Sequence, residues 1–168
     1  FSKLNNGQLK LKLAIGDPFQ FTSDIVNSFE ALAREKNIRL SFIADGTRGY
    51  YSFDEEKWEK IVTNLLSNAL KFTPPDGDVA VYLGVQETNT LLLEVKDTGP
   101  GIPAMHQQKV FTRFYQVDDS SIRNYGGTGI GLSLVKELVE LMQGNINLES
   151  KDGGPTIFRI TIPIKPAL

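Results

Sequence analysis

The sequence predicts an α+β domain with two layers: a mixed, mostly antiparallel five-stranded sheet with three helices on one face. Three segments repeat apolar residues at the spacing of a helix, and several shorter segments alternate apolar and polar residues as strands do. Strand–turn–strand pairs among them predict antiparallel hairpins. Helices and a sheet of this kind bury their apolar sides against each other, which gives the two layers.

The first part of the chain predicts two strands and a helix between them. Apolar and polar residues alternate over residues 9–13, and an Asp-Pro pair then interrupts the pattern. Apolar residues follow at helical spacing between residues 25 and 33, where Thr22 or Ser23 is available as the N-cap. Residues 38–43 alternate again, which predicts the second strand of the chain.

A second helix is predicted over residues 54–72, and it carries a polar stripe beside its apolar face. At about 100° per residue, the stripe consists of Lys60, Asn64, Ser67, Asn68 and Lys71. Solvent alone would favour Glu, Lys or Gln over asparagine inside a helix, so we interpret the stripe as a binding surface rather than a solvated face. The amide oxygen of Asn68 can bind a hard cation such as Mg²⁺, and Lys71 can contact a phosphate one turn later.

The second half of the chain predicts a hairpin, a helix and a second hairpin. Residues 79–85 and 91–96 are the strands of the first hairpin, and residues 146–150 and 156–162 are those of the second. Apolar residues at helical spacing over residues 130–142 predict the third helix. The segment between the first hairpin and this helix shows little periodicity.

Two glycine clusters border this irregular segment and predict a nucleotide site. Gly99 and Gly101 follow Asp97 at the end of a strand, and the cluster 126–131 opens the third helix. Glycine lets the backbone approach a ligand closely, and the free N–H groups of a helix N-terminus suit phosphate. Asp97 can accept a hydrogen bond from the amine of adenine and disfavour guanine. Taken alone, Asp97 is equally consistent with an Asx turn.

Composition excludes several function classes. The 168 residues carry a net charge of −2, which gives no electrostatic case for nucleic acid as a partner. The sequence has no run of apolar residues long enough to span a membrane, which predicts no direct membrane contact. It has no cysteine and hence no thiolate metal site, which is compatible with the cytoplasm. Because the chain starts at Phe1, we expect it to be part of a longer protein.

Four motifs in order give the chain a resemblance to the catalytic, ATP-binding domain of sensor histidine kinases of two-component systems. These kinases belong to the superfamily of gyrases, chaperones, histidine kinases and mismatch-repair proteins, which shares the Bergerat fold. Residues 64–73 resemble the N box of this family, residues 97–102 the G1 box, residues 111–116 the F box and residues 127–132 the G2 box. The similarity covers roughly residues 10–164.

The resemblance implies a bound Mg-ATP and assigns roles to residues of this chain. Asn68 is expected to hold Mg²⁺ with support from Asn64, Lys71 to contact phosphate, and Phe72 to lie against adenine. Asp97 is expected to bind the adenine amine, with a water that Thr156 shares. The pocket floor and the phosphate-binding backbone are assigned to Gly99, Gly101, Ile102, Gly127, Thr128, Gly129, Gly131 and Leu132.

The segment from about residue 99 to 126 is expected to be the ATP lid. Arg113 within it is either a ligand of the γ-phosphate or a solvated lid arginine, and both alternatives stay open. Phe111 is expected to anchor the lid rather than to contact the ligand. Pro155 departs from the family pattern, because a glycine is expected before the position of Thr156.

The resemblance also implies partners outside this chain. His106, the single histidine, is followed by Gln107 and is expected to lie on the lid rather than to accept phosphate. The acceptor histidine is expected upstream, because residues 1–9 resemble the tail of a dimerisation helix and residues 10–168 form the catalytic domain. The implied partners are the dimerisation and histidine phosphotransfer domain of the same protein and the receiver domain of a response regulator. We expect a monomeric, cytoplasmic fragment from a homodimeric parent anchored in the cell membrane.

Three competing hypotheses predict different sequence features. An ATP-driven clamp of the gyrase or chaperone type needs a transducer domain after the ATP site. An anti-sigma serine kinase lacks the dimerisation-helix tail that residues 1–9 resemble. A degenerate docking module has no reason to keep Asn68, Asp97 and the glycines of residues 127–131 together.

Overall fold

The computed structural model describes residues 10–46, 49–112 and 131–167, and these contain eight strands and five helices. The strands are β1 (Ala14–Gly16), β2 (Arg39–Asp45), β3 (Tyr51–Phe53), β4 (Asp78–Gln86), β5 (Thr90–Asp97), β6 (Asn145–Ser150), β7 (Thr156–Pro163) and β8 (Lys165–Pro166). The helices are α1 (Pro18–Ser28), α2 (Glu30–Glu35), α3 (Glu55–Phe72), α4 (Ala104–Gln107) and α5 (Gly131–Leu141).

The main sheet has five strands in the order β2-β4-β5-β7-β6. The pair β2–β4 is parallel, and the pairs β4–β5, β5–β7 and β6–β7 are antiparallel. The predicted mixed, mostly antiparallel five-stranded sheet is therefore confirmed, together with both hairpins. Because β5 and β7 lie next to each other at its centre, residues far apart in the chain meet across them.

One face of this sheet is buried and carries the helices. The inward residues of β4, β5 and β7 alternate with half-buried or exposed ones, which is the pattern of a sheet with one covered side. Helix α3 packs on β5, α5 packs on β6, and α1 packs on both α3 and β2. Within the described ranges, no helix has both the length and the apolar character needed to cross a bilayer.

The first helix begins earlier than the sequence analysis predicts. Asp17 is its N-cap, since its side chain accepts hydrogen bonds from the N–H groups of Phe19 and Gln20. The Asp-Pro pair is therefore a helix start, because proline fits the first helical position where no N–H is needed. Thr22, a predicted cap, is instead buried inside the helix and accepts a hydrogen bond from Trp58 Nε1 at 2.9 Å.

The predicted strand at residues 9–13 is wrong in position. Residues 10–13 form no strand, and β1 lies just after them in a second, three-stranded sheet of order β1-β3-β8 that the sequence did not reveal. The reason is a local competition for backbone groups: the N–H of Lys12 donates to Asp54 Oδ2 at 2.7 Å instead of to a neighbouring strand. Residue 9 itself lies outside the described residues.

Candidate functional site

The C-terminal half of α3 places Asn68 at the centre of the candidate site. Asn68 is only 8% exposed, and its Nδ2 atom has no hydrogen-bond partner among the described residues. An unpaired buried amide costs free energy unless a group from outside the chain completes it. The predicted apolar face of α3 is buried beside it, from Trp58 to Ala69, so the helix is held firmly while Asn68 stays available.

Asn64 lies one turn before Asn68 and meets the start of α5. Its Nδ2 donates to Lys60 O at 2.6 Å, which leaves Oδ1 directed to the neighbouring helix. A Cβ atom placed on Gly131 would lie 3.0 Å from Asn64 Oδ1. The described part of helix α5 starts at Gly131, so this end of α5 lies close to the polar stripe of α3. Free N–H groups at the N-terminus of a helix attract phosphate.

The turn after β5 packs tightly against its surroundings through two glycines. A Cβ on Gly99 would lie 2.9 Å from Phe72 O, so this turn touches the end of α3. Gly101 has φ +78°, and a Cβ there would lie 1.8 Å from Lys151 O. A larger residue at Gly101 therefore requires a backbone shift as well as a strained conformation. These close approaches fix Ile102, which is fully buried, against the sheet.

Asp97 at the end of β5 is a buried carboxylate with few donors. It is 2% exposed, and its Oδ1 accepts a hydrogen bond of 2.9 Å from Gly99 N–H. This bond is the Asx turn that the sequence left open, and the ligand-binding role of Asp97 stays a prediction. Burial raises the pKa of Asp97 to about 6, and the Gly99 hydrogen bond offsets only part of that effect.

A hydrogen-bonded network next to Asp97 contains two residues that the sequence analysis missed. Thr156 is fully buried, and its Oγ1 lies 2.9 Å from Ser150 Oγ, which also accepts from Ile102 N–H at 2.8 Å. Gln107 Nε2 donates to Ile102 O at 2.8 Å and to Ser150 O at 2.9 Å. The register of the predicted second hairpin contained the signal for Ser150, since it places Ser150 opposite Thr156.

The end of α3 contributes a cation and an aromatic ring to the edge of the site. Lys71 is exposed, and its Nζ lies 5.4 Å from the centre of the half-buried Phe72 ring. Both residues line a cavity of about 540 Å³ together with Lys36 and Gly99. Lys36 Nζ also donates to Leu70 O, which ties the last turn of α3 to the preceding helix pair. Like Ser150 and Gln107, Lys36 is a residue of the candidate site that no sequence motif indicated.

Part of the predicted site lies outside the described residues: Arg113, Gly127, Thr128 and Gly129. Leu132, the second described residue of α5, has its side chain buried in the core. Only its backbone is therefore placed to contact a ligand. Phe111 packs edge-on against Phe158, with ring centres 6.0 Å apart, in line with an anchoring role. The structure thus places Gly131 close to Asn64 and Gly99 against the end of α3.

A protein-family model matches the part of the chain that contains the candidate site. The model described as "Histidine kinase-, DNA gyrase B-, and HSP90-like ATPase" matches residues 53–166. This chain belongs to that family. The match spans α3, the turn after β5 and the second hairpin, so it contains the elements that build the site. The predicted resemblance to an ATP-binding kinase domain is confirmed.

Two curated relatives are sensor or hybrid histidine kinases. The chain is 38% identical over 169 residues to hybrid signal transduction histidine kinase D of Dictyostelium discoideum, covering 98% of this chain and 11% of that protein. It is 37% identical over 147 residues to the sensor histidine kinase WalK of Bacillus subtilis, covering 87% of this chain and 24% of WalK. The chain therefore spans only a small part of the relatives it matches.

Solved histidine kinases share the fold. Full-length ShkA in complex with AMPPNP superposes with a TM-score of 0.87 at 25% identity, over 99% of this chain and 34% of that one. The nucleotide-free catalytic domain of the histidine kinase ThkA superposes with a TM-score of 0.78 at 23% identity, over 91% of this chain and 96% of that one. The predicted α+β fold of the histidine kinase catalytic domain is confirmed by these likenesses.

Proposed function

We propose that this chain binds Mg-ATP between the polar stripe of α3 and the turn after β5, and transfers the γ-phosphoryl group to a histidine of a dimerisation domain outside this chain. The observation that carries the proposal is the close approach of Gly131 to Asn64, one helical turn from the unpaired Nδ2 of Asn68. A helix N-terminus matches the phosphates, the polar stripe of α3 matches the metal, and the buried carboxylate matches the base.

The base-binding end of the site suits adenine. A buried carboxylate short of hydrogen-bond donors gains most from a ligand that brings one, and the exocyclic amine of adenine is such a donor. Asp97 meets this description, because the donor that the described residues supply to it is the N–H of Gly99. The edge of Phe72 and the backbone of Gly99 supply an apolar wall and a close backbone approach.

The residues at the phosphate end suit Mg²⁺. The described residues hold no cluster of three His, Cys, Asp or Glu side chains, so a cation here depends on few protein ligands. Mg²⁺ is commonly held by one or two protein oxygens and completes its octahedron with phosphates and water. The amide oxygen of Asn68 fits that requirement, while its unpaired Nδ2 is a hydrogen-bond donor that suits a phosphate oxygen. Bound there, the ion would neutralise charge on the phosphate oxygens.

In the transfer step, an imidazole nitrogen of the acceptor histidine bonds to the γ-phosphorus while the bond to the bridging oxygen of ADP breaks. Because the transition state of phosphoryl transfer is loose, alignment and charge neutralisation account for most of the rate. Lys71 supplies a positive charge at the phosphates, and the N-terminus of α5 supplies backbone N–H groups. The anchored base and α3 hold the γ-phosphorus in one place for the incoming histidine.

Calorimetry with and without Mg²⁺ tests the metal and nucleotide site. We expect this chain to bind ATP at least about tenfold more tightly with Mg²⁺ than with EDTA, and Asn68→Ala to reduce that gain to less than about threefold. Asn147→Ala is the matched control, because it removes an exposed amide from the open side of β6. If Asn68→Ala kept the full Mg²⁺ gain, Asn68 would not hold the metal. No ATP binding by the unchanged chain would reject the proposal.

A labelling experiment tests the location of the acceptor. We expect this chain alone to incorporate little label from γ-labelled ATP, since its single histidine, His106, lies half-buried in the short helix α4. Rapid labelling of His106 would contradict an acceptor outside the chain. The further partners that we propose are the receiver domain of a response regulator and a second copy of a homodimeric parent. We propose a cytoplasmic site of action for this domain, with the parent anchored in the cell membrane.

A further inference from the structure

A row of polar side chains crosses the sheet at the base-binding end and continues past the residues assigned to ATP. Asp97 on β5 lies opposite Thr156 on β7, and Thr156 lies opposite Ser150 on β6. Residues directly opposite each other in antiparallel strands point to the same face, with Cβ atoms about 4.5–5.5 Å apart. The three side chains therefore form a line from the carboxylate to the edge of the sheet.

Hydrogen bonds join the members of this row. Ile102 N–H donates to Ser150 Oγ at 2.8 Å, and Ser150 Oγ lies 2.9 Å from Thr156 Oγ1. A backbone N–H can only donate, so Ser150 accepts there and keeps its single proton for another acceptor. Either hydroxyl can donate in the bond between Ser150 and Thr156. When Ser150 donates, Thr156 keeps its own proton for another acceptor.

When Ser150 donates, the proton of Thr156 is available inside the site. Thr156 is 0% exposed and lies next to Asp97, so its hydroxyl donates inside the pocket rather than to bulk solvent. Adenine presents an amine donor at N6 beside an acceptor at N1, whereas guanine presents an acceptor at O6 beside a donor at N1. A carboxylate acceptor next to a hydroxyl donor matches adenine and opposes guanine.

We propose that Ser150 is a specificity-determining positioning residue of the base pocket. It holds the Thr156 hydroxyl as a hydrogen-bond donor toward N1 of adenine, directly or through one water, while Asp97 accepts from N6. This inference rests on the proposed binding of adenine at Asp97. Ser150 does not touch the base itself. It acts through Thr156, because a chain of hydrogen bonds polarises each member and fixes which end donates.

Gln107 provides an internal control for this role. Its Nε2 donates to Ile102 O and to Ser150 O, so it holds the backbone of the same two residues. It takes no part in the chain from Ile102 N–H through the two hydroxyls. Gln107→Ala therefore loosens the attachment of the turn to β6 without removing the hydroxyl that orients Thr156.

Binding of ATP and of 1-deaza-ATP, in which a C–H group replaces N1, measures the effect of Ser150. We expect the unchanged chain to bind the analogue about tenfold more weakly than ATP, because one positioned hydrogen bond is lost. In Ser150→Ala this ratio should fall below about threefold, since the Thr156 hydroxyl is no longer held as a donor. Ser150→Thr, which keeps the hydroxyl, and Gln107→Ala should both retain most of the ratio.

The outcomes separate this inference from the proposed function. A Ser150→Ala variant that bound both nucleotides more weakly by the same factor would overturn the inference, because it would show a structural effect alone. The same holds if Gln107→Ala lowered the ratio as far as Ser150→Ala did. If Ser150→Ala failed to fold, Ser150→Cys would replace it, since its weakly donating thiol should also lower the ratio. An unchanged chain that bound neither nucleotide would instead reject the proposed function.

Discussion

Two buried aspartates, Asp54 and Asp97, differ in how many hydrogen bonds the described residues donate to them. Asp54, 1% exposed, caps the N-terminus of α3 and accepts from Lys57 N–H at 3.1 Å, from Lys57 Nζ at 3.0 Å and from Lys12 N–H at 2.7 Å. Asp97, 2% exposed, accepts from Gly99 N–H within the described residues. The comparison indicates that Asp54 serves the fold, and it supports the proposed role of Asp97 in binding a ligand.

The pKa values of the two carboxyl groups are shifted in opposite directions. Burial acts to raise the pKa of Asp54, but the hydrogen bonds from Lys12 and Lys57 outweigh it, and the pKa lies below its usual range. Burial raises the pKa of Asp97 to about 6. Asp54 therefore stabilises the fold above its ordinary pKa and loses this effect as the pH falls through its lowered value. Asp97 favours the fold at low pH and loses this effect as the pH rises through about 6.

The largest expected effect is on the stability of the fold. Asp54→Ala removes the cap of α3 and leaves the ammonium of Lys57 buried without its partner, so the free energy of unfolding should fall by about 3–5 kcal/mol. Urea denaturation measures it. Asp17→Ala is the control, because it removes the N-cap of α1, and the loss of a cap typically costs about 1 kcal/mol. Equal losses in the two variants would contradict the structural role of the Asp54–Lys57 pair.

The second effect is expected at Asp97, where a substitution should weaken ATP binding without lowering the stability of the fold. Asp97→Asn keeps the shape but cannot accept as a carboxylate, so ATP binding should weaken at least tenfold, which corresponds to about 1.5–3 kcal/mol for a charged hydrogen bond. The free energy of unfolding at pH 8 should stay equal or rise, since no charge is buried. Calorimetry and urea denaturation give both numbers. Unchanged ATP affinity would remove Asp97 from the binding site.

The third effect is a pH dependence of binding that originates at Asp97. Because the ligand needs the ionised carboxylate and the pKa is about 6, affinity for Mg-ATP should fall about tenfold between pH 8 and pH 5. Titration calorimetry across this range measures it. Asp97→Asn serves as the reference, since it retains the titration of the nucleotide itself. An identical pH profile in the two proteins would show that Asp97 is not the titrating group.

The smallest effect should come from a carboxylate that is paired but only half-buried. Glu94 on β5 pairs with Arg159 on β7, on the open side of the sheet. Solvent screens ion pairs at the surface, so Glu94→Gln should change the free energy of unfolding by less than about 1 kcal/mol and leave ATP affinity unchanged. A loss as large as that of Asp54→Ala would mean that pairing, rather than burial, separates Asp54 from Asp97.

The sequence predicted the main sheet and the long helix α3 closely, because periodicity reports directly which side of an element is buried. It placed the helix at residues 54–72 and the first hairpin at residues 79–85 and 91–96, within two residues of the observed bounds. It failed at the edges of the domain. In the second sheet β3 pairs with both β1 and β8, and strands of two or three residues are too short to show a period.

The sequence also predicted those residues of the candidate site that belong to motifs. It missed the residues that only the pairing of β6 with β7 and the packing of the turn after β5 bring together. Asn68 and Asp97 stand in recognisable patterns, and the structure gives both a buried setting with incomplete pairing. Ser150 and Gln107 stand in none. Their positions depend on β6 lying beside β7 and on the turn that follows Asp97, and both are consequences of tertiary packing.

The length of the connection between β6 and β7 limits which insertions and deletions this domain can accept during evolution without a change in its base pocket. Ser150 faces Thr156 because residues 151–155 connect the two strands with one particular length. Side chains alternate sides along a strand, so a slip of one position would turn Ser150 away from its neighbour. A single inserted or deleted residue in this outer connection, remote from the phosphates, should therefore be able to alter which nucleotide the domain accepts.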